Sequence, residues 1–421
     1  MAATIGADAR WLSALGRAIV DQGGIPKGVP FATAPSADWP NVPVLAELIL
    51  RGLTSALGDR GLLFAQLVAV AGGLVFVALD MRRGGSGDTG AGLAILLLVV
   101  GAIPALLVIR VQLFSLLLFP ALVAMIRAEA RAPSRRIWLL PPLLALWSNL
   151  HGAVLVGLAV TAIYLVLSRA RGRWLEATVV LIVSAFAVCA TPALERTPTY
   201  YLGVLRNEAA RRQEGLWAPL SLGSGFDLLL IGAALVLVAL ALRARPPLWE
   251  TVALVALALL TIRTARSGVW LLFFACVPAT RTLRFHSNRR TWPAVAIAAV
   301  LIAFGLVRGP FPSGAGNPLL HDALLRADNT PILADGIIAE QLALAGGRVW
   351  MSNPLDAFPL RDQRVYLDWI AGRPEGRLAF AHAPRVVVVR RSGPAARLAA
   401  SSNELRAVAS DADAVLYLKR R

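Results

Sequence analysis

Trp147-Ser148-Asn149-Leu150-His151-Gly152 places an indole, an amide and an imidazole in one short stretch. Strongly apolar runs flank it, IWLLPPLLALW before and AVLVGLAVTAIYLVL after. At a hairpin tip between two membrane spans, polar groups of this kind are too costly to leave facing lipid. They must lie at the membrane surface or in a cavity, where such residues are functional candidates. The alternative is structural: Asn149 closes a helix end and His151 meets interfacial water. Three arginines stand in other short connections, Arg110 in IRVQLFS and Arg263 and Arg266 in IRTARSG. A guanidinium fork matches phosphate oxygens two at a time, so these positions suit a phosphate-bearing lipid. Snorkelling to headgroups would also account for them.

The elements that must position these residues follow from composition. Hydrophobic residues make up 57% of the 421, charged residues only 16%. A soluble chain of this length has no reason to be so apolar, whereas an α-helical polytopic membrane protein does. The net charge of +17 is therefore not read as a nucleic-acid signature, and no nucleic-acid partner is expected. Cys189 and Cys276 both sit in apolar runs, which suits buried thiols better than a disulfide or a metal site. MAATIGADAR has neither the basic start nor the apolar core of a secretory signal.

Residues 1–60 read as two amphipathic helices, WLSALGRAIV and VPVLAELILRGL, the second with Glu47 and Arg51 four apart on one face. The membrane domain, residues 61–308, contains about ten spans. They are expected at 61–79, 90–109, 111–126, 137–150, 152–168, 174–191, 226–242, 247–262, 267–280 and 292–308. Several are shorter than the roughly 17 residues usual for a crossing. Alternate connections carry clusters such as Arg82 and Arg83, Arg135 and Arg136, and Arg289 and Arg290; the opposite short ones carry only Arg110, Arg263 and Arg266. The positive-inside rule assigns the clusters to the cytoplasm. Residues 1–60, an outer loop at 192–225 and the C-terminal tail then lie outside. That parity motivates the expectation of a further span upstream of Met1.

The outer loop contains Tyr200, Tyr201 and Trp217 among mixed charges. Tyr200, Tyr201 and Trp217 are candidates for stacking on a sugar or a guanidinium, although an aromatic belt would look the same. GPFPSGAGNP opens a linker, 309–330, before a small α/β domain at 331–421. RVWMSN, PRVVVVRR and AVLYLKR have strand character; IIAEQLALAG and GPAARLAASSNELRAVAS read as helices. Asp335, Asp356 and Asp368 are candidates for catalysis, although an acidic residue at a strand or helix end is most often a cap. The sequence has no Gly-rich phosphate loop, CxxC or His-x-x-x-His, and no other histidine is placed to join His151 around a metal.

Four stretches carry a family resemblance: LGRAIVDQGGIP with the following DWPNVPVLAEL, IRVQLFSLLLF, LLPPLLALWSNLHGAVLVGL and the tail from about 331. Together they resemble the bacterial GT-C class of polytopic glycosyltransferases, related to the mannosyl-, arabinosyl- and oligosaccharyltransferases. The first resembles the outer loop with juxtamembrane helices, the second an Arg-(Pro)-Gln-leading third span, with valine here before Gln112. The resemblance implies transfer of a sugar from a polyprenyl-phosphate donor to an envelope acceptor outside a bacterial cytoplasmic membrane. In that class an aspartate of the first outer loop serves as base or metal ligand. Asp8 is the corresponding position, with the paired acidic motif reduced to Asp8-Ala9-Arg10, so a divalent metal stays open. The implied roles are Asp8 as base, His151 and Asn149 as orienting groups, and Arg110, Arg263, Arg266, Gln112 and Tyr200 as substrate-binding groups. Other readings are a transporter or flippase of lipid-linked intermediates and a non-catalytic scaffold. The near absence of mid-span charge and of an internal repeat counts against the transporter.

Overall fold

The computed structural model describes residues 4–283, 317–382 and 385–420. They form two compact units, one from 63–195 and 213–283, the other from 5–62, 196–212 and 317–420.

The first unit is a bundle of apolar helices, as a multi-pass membrane protein requires, because a helix satisfies its own backbone polar groups in lipid. Four helices are long and apolar enough to cross a membrane: Asp59–Arg83, Leu113–Arg131, Val154–Ala187 and Gly225–Arg243. Asp88–Gly101, Leu140–Ser148, Leu248–Arg263 and Gly268–Thr280 are shorter helices at the other expected spans. The expected break between 168 and 174 is a kink at Arg173, with φ −147° and ψ 63°, inside the otherwise continuous helix Val154–Ala187. The span expected at 292–308 lies outside the described residues.

Several of the arginines assigned to the cytoplasmic connections are buried in ion pairs at the ends of the helices. Helix Leu113–Arg131 runs past the expected end at 126, so Arg127 sits inside the bundle. Its guanidinium donates to Glu250 at 2.8 Å, to Asp80 at 3.3 Å and to the Phe274 carbonyl at 2.8 Å. Arg131 adds a second hold on Asp80 at 2.9 Å, and Arg281 pairs with Glu250 at 2.7 Å. A neighbouring set joins Arg169 to Glu176 at 2.7 Å and to Glu129 at 3.4 Å. These acids lie 47 and 123 residues from Arg127 in sequence, which is why charge counting by loop did not pair them.

The second unit gathers both amphipathic helices and the tail. Ala9–Gln22 stops at Gly23, whose left-handed φ of 66° lets its N–H reach the carbonyls of Ile19 and Val20. Its partner is Val44–Leu57. A Cβ on Gly16 would stand 2.2 Å from the Glu47 carbonyl oxygen, so only glycine permits that approach. The four-stranded sheet has the order Ile332–Ala334, Val386–Arg390, Ala414–Lys419, Leu405–Ser410. The first pair is parallel, with Leu333 opposite Val387, and the other two are antiparallel, with Val387 opposite Tyr417 and Leu405 opposite Lys419.

Three details differ from expectation. Pro318–Ala327, inside the expected linker, is a helix capped by the Asn317 side chain. The helix expected across 393–410 stops at Ala400; Leu405–Ser410 is an edge strand, because the polar Ser401-Ser402-Asn403 run interrupts the apolar pattern. Val349 in RVWMSN makes only isolated bridges, to Ala32 and Ile332.

Arg127 anchors three acceptors, and its removal leaves Glu250 and Asp80 buried. Arg127→Ala should lower stability by about 3–5 kcal/mol, the usual cost of breaking a buried pair. Thermal unfolding of the detergent-solubilised protein checks this, with Arg263→Ala as the exposed control expected to change little.

Candidate active site

In the first unit the Trp147–Gly152 hairpin is built from both flanking helices. Trp147 ends the first helix and is fully buried. It fits because Gly157 faces it: a Cβ there would lie 2.4 Å from the indole ring. The indole N–H donates to Ser115 Oγ at 2.7 Å, leaving the Ser115 hydroxyl proton for His151 Nδ1, also at 2.7 Å. The Ala153 N–H reaches the same Nδ1 at 3.3 Å. Nδ1 is thus the acceptor, and the ring proton belongs on Nε2. His151 lies in the connection, outside both helices. Burial, then the charges of Arg266 and Arg110, push its pKa down to about 3. The imidazole is a neutral donor through Nε2–H, beside two guanidinium groups.

Asn149 has a different task. Its amide donates to the carbonyls of Ala145 at 2.8 Å and Ala190 at 2.7 Å, closing its own helix and tying it to the end of the next. Arg266 stacks over Trp217, 3.9 Å from the ring centroid to Cζ, and Ala265 N–H donates to the Ala218 carbonyl at 3.1 Å. The Trp217 ring therefore holds the arginine side chain in place. Arg263 is exposed at the end of its helix. Gln112 precedes the helix carrying Ser115, and its carbonyl accepts from the Ser115 N–H at 2.9 Å. His151, Arg110 and Arg266 are thus brought together. Trp217, one of the loop aromatics named as a stacking partner for a guanidinium, takes that role on Arg266. Ser115 was missed from sequence; it stands five positions after Arg110 in a stretch already singled out.

Asp8 and Tyr200 belong to the second unit and meet other groups there. Asp8 has φ 87° and precedes helix Ala9–Gln22; its N–H is shared between both oxygens of Glu340 at 2.9 Å. Trp39 Nε1 donates to Asp356 Oδ2 at 2.8 Å, and the Trp39 and Tyr200 ring centroids are 6.3 Å apart. Burial pushes the Asp356 carboxyl up to about 6, against the Trp39 hydrogen bond, and the charge of Asp8 adds to the rise. Burial also holds the Tyr200 hydroxyl well above the ordinary phenol range, with Asp356, Tyr201, Glu47 and Asp8 contributing. Glu47 does not pair with Arg51 as its spacing suggested. It accepts from Asn41 Nδ2 at 2.8 Å, and burial pushes its carboxyl up to about 8. Among the described residues no group of three or more His, Cys, Asp or Glu side chains could hold a metal ion.

The chain has a GT-C-like membrane glycosyltransferase fold. Among solved structures, the chain is similar to ArnT from Cupriavidus metallidurans bound to undecaprenyl phosphate, at 14% identity and TM-score 0.57, over 99% of this chain and 94% of that one. The apo state of the same protein gives 15% identity and TM-score 0.56 over the same shares. Arabinofuranosyltransferase AftD from Mycobacteria matches at 14% identity and TM-score 0.51, over 99% of this chain and 40% of that one. No family model matches the chain, and no curated protein matches it in sequence.

The neutral Glu47 supplies a pH test. Its folded pKa is above the ordinary 4.5, so between about 4.5 and 8 the native state binds more protons than the unfolded one. Stability from this group is full at low pH and falls as pH rises through that window. Glu47→Gln should therefore gain relative to wild type as pH increases from 5 to 8. Melting temperatures of both proteins across that range check the slope.

Proposed function

We propose that this protein is an integral membrane glycosyltransferase that uses a polyprenyl-phosphate-linked sugar and transfers the sugar to an envelope acceptor. The observation that carries the reading is the convergence of Arg110, Arg266 and a neutral, Nε2-protonated His151. Two cations and an N–H donor suit a phosphate that gains charge as its glycosidic bond breaks. Held by Trp217, Arg266 has little side-chain freedom left to lose on binding. The GT-C-like fold supports the same class, and the ArnT structure it resembles is bound to undecaprenyl phosphate.

In this reading the arginines and His151 Nε2–H hold the departing lipid phosphate. Asn149 fixes the hairpin that aims the imidazole, and Gln112 and Arg263 lie toward the headgroup. Asp8 is the base toward an acceptor hydroxyl. A neutral His151 with its proton on Nε2 acts as a donor and not as the base. The arginine asymmetry of the connections supports an inner-membrane setting with the reaction and the tail outside.

Protein in nanodiscs should bind undecaprenyl phosphate and, supplied with membrane-extracted lipid-linked sugars, consume a subset of them. Arg266→Ala and His151→Ala should each lower turnover on the order of 10²-fold, as for loss of one donor to a developing charge. Normal insertion and melting must accompany the loss. Unchanged lipid-phosphate affinity and turnover in both variants would remove the reading.

A further inference from the structure

The second unit carries a set of groups that the lipid-phosphate chemistry does not use. Trp39, Tyr200 and Asp356 come from three distant parts of the chain and are held together. Trp39 bonds Asp356 at 2.8 Å and stands 6.3 Å from the Tyr200 ring. Gly203, one helical turn after Tyr200, brings its backbone against Asp356: a Cβ there would be in ordinary contact, at 3.7 Å. Arg196 fixes the start of the Tyr200 helix by donating to the Asp38 carbonyl beside Trp39. Asp8, Tyr200 and Asp356 are each half-buried, so they are open to a ligand, whereas Trp39 is buried.

A second observation points to something bound. Glu47 is fully buried, acts electrostatically on Tyr200, and its Oε1 has no hydrogen-bond partner among the described residues. The Asn41 side chain that bonds the other Glu47 oxygen likewise has its own oxygen without one. Buried polar atoms without partners leave hydrogen-bonding capacity for a ligand or a water. An aromatic face beside a carboxylate has the chemistry of carbohydrate recognition. The ring packs on sugar C–H groups, and the carboxylate accepts sugar hydroxyls.

We propose that Trp39, Tyr200 and Asp356 form a monosaccharide-binding subsite, in which Tyr200 packs on the sugar ring and Asp356 accepts one of its hydroxyls. This rests on the glycosyltransferase reading for its place in a reaction, but not for its binding chemistry. The sugar belongs either to the donor or to the acceptor. Trp39 is a positioning residue, since its N–H sets the Asp356 carboxylate.

The test uses the full chain in nanodiscs and saturation-transfer NMR with methyl glycosides of common hexoses and pentoses. At least one should bind saturably at millimolar concentration. Asp356→Asn keeps an oxygen for the Trp39 N–H, and Tyr200→Ala removes the ring; each should weaken that binding at least tenfold. Affinity for undecaprenyl phosphate should stay unchanged in both variants. Where transfer is measurable, a rise in KM for the acceptor alone assigns the site to the acceptor, and a rise for the lipid-linked sugar alone assigns it to the donor. Sugar binding equal in wild type and both variants, or no glycoside bound by protein that binds the lipid phosphate, overturns the inference and leaves the glycosyltransferase reading standing. Sugar binding that depends on Asp356, without affinity for lipid phosphate, upholds the subsite and removes that reading.

Discussion

A buried arginine organises the membrane unit. Arg127 reaches Glu250, Asp80 and the carbonyl of Phe274 with one planar group, and its guanidinium also lies 4.6 Å from the Phe274 ring centroid. Helices in lipid have no hydrophobic reason to prefer one neighbour over another, so polar contacts and close packing select the partners. A charge taken out of water is tolerable only if its partners are in place. The three helices that supply those partners are thereby fixed to the Arg127 helix. Helix Leu113–Arg131 transmits this constraint: Ser115 lies twelve residues before Arg127, about 18 Å along the helix. Fixing one end of this helix places the hydroxyl that addresses His151 at the other.

At that other end the chemistry depends on a relay of hydrogen bonds. Trp147 uses its single N–H on Ser115, which leaves the serine proton directed at His151 Nδ1. The tautomer of the histidine is thus decided by a tryptophan four positions earlier and a serine on another helix. Two arginines nearby make protonation of the ring costly, and the pair of effects converts a residue usually thought of as a base into a fixed N–H donor. Trp217 completes the arrangement by stacking on Arg266, so a side chain with several rotatable bonds is held ready.

The second unit follows another logic. Burial raises the carboxyl groups here: Glu47, bonded by Asn41, up to about 8, and Asp356, bonded by Trp39, up to about 6. In a chain of net charge +17, this local concentration of acids beside aromatic rings stands out. It suits recognition of hydroxyl-rich molecules, whereas the arginine-bearing hairpins of the first unit suit phosphate.

Sequence by itself determined the membrane class, the position of the described helices of the bundle, an interruption between 168 and 174, and the polar hairpin as the place to look. These are local properties: hydropathy, periodicity and punctuation are written within a few tens of residues. It also marked Arg110, His151 and Arg266 as belonging to connections on one side. Tertiary structure decided who meets whom. Ser115 to His151 spans 36 positions, Arg127 to Glu250 spans 123, and Trp39 to Asp356 spans 317. No periodicity encodes such pairs, because a buried charge or a shared proton is satisfied by whatever the fold brings within hydrogen-bonding distance. The same reason separates Glu47 from Arg51, which adjacency on a helix favoured and packing overruled.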